Sequence, residues 1–67
     1  MDIKEALKQC MNVCKKVRPV SWRNINPGHW VEFRSHHFVE CGEREEMPHA
    51  LRLAYPDEFL GEWEVLQ

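Results

Sequence analysis

No stretch of this 67-residue chain approaches the roughly 18 consecutive apolar residues that a membrane-spanning helix needs. The opening "MDIKEALKQC" has an acid where a secretory leader would carry bases. Together these predict a cytosolic, cytoplasmic chain with no membrane partner. Cysteine is sparse and odd in number, at Cys10, Cys14 and Cys41, whereas a secreted disulfide scaffold of this size carries an even set of four or more. Reduced thiols are expected. A basic excess is also missing. The formal net charge is -2, and a duplex nucleic-acid binder draws its affinity from neutralising many phosphates, so no duplex nucleic acid is expected as partner. Repeats, low-complexity tracts and linkers are absent as well.

Length sets a further limit. A chain this short buries only about 60% of its unfolded surface, enough for a single domain over residues 1–67. One such core supplies roughly 3–5 kcal/mol, and oligomerisation is the expected helper. What is present suits a folded domain: 43% apolar residues with three Trp, three Phe and one Tyr, and 30% charged residues. The charge is uneven. Residues 1–24 carry +4 and residues 25–67 carry −6.

Ile3, Leu7, Cys10, Met11 and Cys14 form the stripe of an amphipathic helix over 3–14, opened by Asp2 and Glu5 in a capping-box arrangement. Pro19 stops continuation and makes "KVRPV" a short extended piece at a sheet edge. Asn24, Asn26, Pro27 and Gly28 predict a loop over about 23–28. "HWVEFR" and "HFVECG" alternate as two strands of a hairpin turned around Ser35 and His36. "EREEMP" reads as a charged loop and "ALRLA" as a third strand. "PDEFLG" reads as a helical turn between Pro56 and Gly61, and "EWEVL" as a last strand with Trp63 and Val65 inward. The fold class is α+β: an N-terminal amphipathic helix on a small, mainly antiparallel sheet.

Three constellations could carry chemistry. Cys10, Cys14, His36, His37 and Cys41 could assemble zinc ligands, but no C-x-x-C knuckle exists, and the thiols of the helix stripe behave as small hydrophobes. No metal and no cofactor are expected. His29, His36, His37 and His49 with Cys41 invite an acid–base reading, yet each histidine sits beside a turn or proline. No enzyme is expected. Lys15, Lys16, Arg18 and Arg23, with Trp22 among them, could grip a phosphate while the indole stacks on a ring, against the reading of Trp22 as core. The ligand contacts predicted from this cluster are Arg18, Trp22, Arg23 and Asn24. The acidic run Glu43, Glu45 and Glu46 is a solvated loop, or a surface for a basic partner.

The order "EAL", "KKVR" at a helix end, Trp22 five residues after Val17, and a closing "DEFLGEWEV" resembles the second Thoeris anti-defense type domain, a family of small phage and prophage proteins. The likeness covers residues 5–24 and 57–66, with Val17, Arg18, Trp22, Asp57, Trp63 and Glu64 at matching positions. Cys14 and Ser21 stand where that family usually has glycine. The resemblance implies an α+β protomer that forms a homo-oligomer in a bacterial host cytoplasm. It would sequester a cyclic nucleotide-type immune signal without cleaving it. The alternative is a protein–protein interaction module that inhibits a host protein through an acidic or aromatic surface.

Overall fold

The computed structural model describes residues 1–44 and 47–66. Helix α1 spans Ile3–Val13 and begins where Asp2 accepts a 2.9 Å hydrogen bond from the Glu5 N–H. It buries Ala6 and Cys10 and packs Ile3 and Leu7 on the core, but Met11 is exposed. The helix ends one residue earlier than the stripe predicts. Cys14 takes the left-handed cap position, φ 55°, which turns its thiol out to solvent.

Strand β1 (Lys16–Pro19) follows, then a helical turn α2 (Trp22–Ile25), the hairpin β2 (His29–Arg34) and β3 (His37–Gly42), and the two-residue β4 (His49–Ala50). Helix α3 (Pro56–Leu60) leads into β5 (Trp63–Leu66). All pairings are antiparallel, in the order β4-β3-β2-β1-β5.

The architecture matches the expected class, with three local corrections. Strand β1 lies inside the sheet, between β2 and β5, and not at its edge. Pro19 is tolerated there because its nitrogen faces β2, where the pairing is confined to Val17 and Val31, while toward β5 it stands opposite Trp63 in a non-hydrogen-bonded pair, the Trp63 N–H donating to the Met1 carbonyl at 2.7 Å. Neither neighbour therefore asks an N–H of residue 19; the bond to β5 resumes with Val20 N–H on the Glu62 carbonyl at 2.9 Å. The loop predicted for 23–28 opens as α2. The third strand is His49–Ala50; Leu51 N–H still donates to the Phe38 carbonyl at 3.3 Å before the chain leaves the ladder, and Leu51 and Leu53 pack on the core. Glu45 and Glu46 of the acidic run fall outside the described residues; Glu43 is in an exposed turn.

Register divides the sheet into two faces. Val17, Pro19, Val31, Phe33, Phe38, Trp63 and Val65 share the face that α1 covers, with Phe33 and Phe38 ring centroids 5.0 Å apart. The other face carries Lys16, Arg18, Trp30, Glu32, Arg34, Val39, Cys41, Glu64 and Leu66. It has no helix over it among the described residues. The β2–β3 turn is a two-residue loop with both members at positive φ, Ser35 at 51° and His36 at 67°, as a type I′ hairpin requires.

Candidate functional site

The acidic, tryptophan-bearing end of the chain is held by its own N-terminal half. Glu58, the third residue of α3, turns inward and is 4% exposed. One of its carboxylate oxygens accepts the Trp22 indole N–H at 2.6 Å; the other accepts the backbone N–H groups of Ala54 at 2.7 Å and Tyr55 at 2.8 Å. Its backbone carbonyl accepts the Trp63 indole N–H at 2.8 Å. A single residue therefore fixes both buried indoles and the start of α3. Burial pushes the Glu58 carboxyl up, but the bonds from Tyr55, Trp22 and Ala54 outweigh it and leave the group below its ordinary value.

The predicted ligand residues separate. Trp22 is 1% exposed, its indole committed to Glu58, so it offers no ring for stacking. Its sequence neighbours led to the basic-patch reading, whereas the α2 turn points it into the core. Arg18 and Arg23 do converge, but on Glu64: the Arg18 Nε donates to it at 2.8 Å, and Arg23 donates to it through both Nε, at 2.9 Å, and Nη2. Hydrogen bonding from Arg23, then from Arg18, and the two positive charges hold the Glu64 carboxyl down at about 2 against the pull of burial. Asn24 is exposed on α2. The charge asymmetry seen in the sequence is in part spent internally.

The open sheet face is similarly self-engaged. The Lys16 ammonium lies 4.8 Å from the Trp30 ring centroid. The Trp30 indole N–H donates to Glu32 at 2.6 Å, and Arg34 donates to Glu32 through Nε and Nη2. The Trp30 bond, with help from Arg34, holds the Glu32 carboxyl below its ordinary value. At one end of this face, Lys16, Arg18, Trp30, Leu66 and Glu43 line a recess of about 350 Å³.

The thiols and histidines do not form one centre. Cys10 faces the Val31 carbonyl under α1, while Cys41 lies on the opposite sheet face beside Glu32. Burial first, then the nearby Glu32, pushes both thiols up to about 11, so neither is a thiolate at neutral pH. His29 Nδ1 sits 2.9 Å from Glu40 Oε2 at the far end of the covered face. Among the described residues, no three His, Cys, Asp or Glu side chains gather as a metal site.

The remaining feature is α3 itself. Its buried residue is a glutamate, while Phe59 is 48% and Leu60 86% exposed, with Tyr55 beside them at 58%. The apolar pattern of a surface helix is inverted. The Pro56 and Asp57 start and the Gly61 stop marked this helix in the sequence; Glu58 at the third position, a capping-box place, was the available signal for its role. Which way the aromatic residues point had no such signal.

Compared with protein-family models, curated proteins and solved structures, the chain matches none.

Proposed function

We propose that this chain is a non-enzymatic interaction module that inhibits or tethers a partner protein through the outward face of α3. The observation that carries this reading is the inverted helix, Glu58 in and Tyr55, Phe59 and Leu60 out. An exposed apolar group on a short turn anchored by three carboxylate hydrogen bonds is pre-organised, so little ordering entropy is lost when a partner covers it. Aromatic anchors on rigid supports are the usual centres of binding energy. The test is partner binding by Leu60→Ser and Phe59→Ser variants with unchanged circular dichroism. Each is expected to weaken binding by about tenfold or more, the effect of losing one central anchor. Unchanged affinity in both would remove α3 from the interface.

A second reading keeps the small-ligand function that the family resemblance implies: a phage-type homo-oligomer capturing a cyclic nucleotide-type signal in a bacterial cytoplasm. The recess beside Lys16, Arg18 and Trp30 favours it, because a partly buried indole flanked by cations suits a planar anion. Trp30 replaces Trp22 as the stacking residue, and a ligand phosphate has to compete with Glu64 for Arg18 and Arg23. Native mass spectrometry of the protein from its own host tests both parts. A nucleotide-sized added mass on an oligomer supports capture; a bare monomer that also shows no fluorescence change with cyclic nucleotides sinks it.

A further inference from the structure

Resting on the α3 reading, we infer that the partner is a different protein whose receiving groove is apolar at its floor and basic at its rim, and not a two-fold-related copy of this chain. Residues 53–66 contain four acids and no Lys, Arg or His. Glu58 is turned inward, and Glu64 is tied to Arg18 and Arg23 on the sheet. Asp57 and Glu62 remain, both exposed, next to Tyr55, Phe59 and Leu60 in the chain. Glu62 holds the Met1 ammonium at 2.8 Å yet keeps 74% of its side chain in solvent.

This charge arrangement selects among occupants. A two-fold contact between copies uses the same patch on both sides. It would set Asp57 and Glu62 of one copy against the same acids of the other, and like charges juxtaposed at an interface are strongly unfavourable. A groove lined with apolar side chains and edged by Lys or Arg satisfies both the exposed ring and leucine and the acids beside them. A short helical segment laid into such a groove is a common recognition mode.

The test is photo-crosslinking of Leu60→p-benzoylphenylalanine and Tyr55→p-benzoylphenylalanine variants of the full chain, in the cells that naturally encode it, with the adduct site mapped by mass spectrometry. The expected result is an adduct to another protein at an apolar surface next to Lys or Arg. Its yield should fall at least about fivefold on adding Asp57→Lys, since reversing a rim charge slows association. An adduct to a second copy, an adduct on an acidic surface, or indifference to Asp57→Lys overturns the inferred partner chemistry. No adduct from either position overturns the α3 contact reading itself.

Discussion

Replacing Glu58 by glutamine keeps the shape of the side chain and removes its charge and one acceptor. In the native site both oxygens accept: one the Trp22 indole N–H, the other two backbone N–H groups. If the amide oxygen stays with Ala54 and Tyr55, the amide NH₂ meets the Trp22 N–H at about the present 2.6 Å, donor against donor. Flipping the amide sets it against two donors instead. A hydrogen bond to a charged group contributes about 1.5–3 kcal/mol, and a buried donor left unpaired costs a further ~1–3 kcal/mol. Allowing for relaxation, the loss should be about 2–4 kcal/mol, a large part of the roughly 5 kcal/mol at the low end for a folded domain. The assay is urea unfolding at pH 7 followed by tryptophan fluorescence, with Glu62→Gln as the exposed control. The m-value should hold while the midpoint falls. The melting temperature should drop by roughly 8–32 °C at ~4–8 °C per kcal/mol for a domain of this size. A Glu58→Gln unfolding free energy within about 0.5 kcal/mol of the parent's, the spread of ordinary surface changes, would refute the account of Glu58 as the residue holding both indoles.

Three further outcomes follow from the same geometry. Glu64, held from an ordinary 4.5 down to about 2, adds stability that is complete above pH ~4.5 and lost as pH falls toward 2. The shift sets a ceiling of about 3 kcal/mol, reduced to about 1–2 kcal/mol by the solvent exposure of Arg23, and acid titration of Glu64→Gln should be correspondingly flatter over that window. Ser35→Asn with His36→Gly supplies the turn with residues suited to positive φ and should raise the unfolding free energy measured in urea by about 1 kcal/mol; a decrease would contradict the type I′ assignment. At Gly61 a Cβ would lie 2.6 Å from the Asp57 carbonyl oxygen, so Gly61→Ala must displace the end of α3. It should destabilise by about 1–3 kcal/mol, the range for overpacking, and an unchanged calorimetric midpoint would count against the close approach.

Much of this fold was readable from patterns of short range. The stripe of α1, the alternation of the hairpin and the Pro56-to-Gly61 turn are each encoded by neighbours within a few residues, and all three appear in place. Proline usually requires an edge, so the local pattern puts strand β1 there; its interior position depends on the β2 pairing being confined to Val17 and Val31 and on β5 arriving on the other side, with Arg18 meeting Glu64 across 46 positions of the chain. The site was less legible for the same reason. Trp22 beside Arg23 looks like a stacking platform until Glu58, 36 residues away, claims its indole. In α3 the local pattern misleads outright, since hydropathy alone would turn Phe59 and Leu60 inward and Glu58 out.

The strand order also governs the sequence of events in folding. Strands β2 and β3 are joined by two residues and can pair within microseconds, and β1 can join β2 through Val17 and Val31, whereas the β1–β5 seam closes only when Glu64 reaches Arg18 from 46 residues away. The hairpin is thus the natural nucleus, and closure of the β1–β5 seam belongs to the downhill side of the barrier. Weakening that seam should leave the refolding rate nearly intact and raise the unfolding rate, so the lifetime of the native state is set at the end of the chain, where the last strand peels away first.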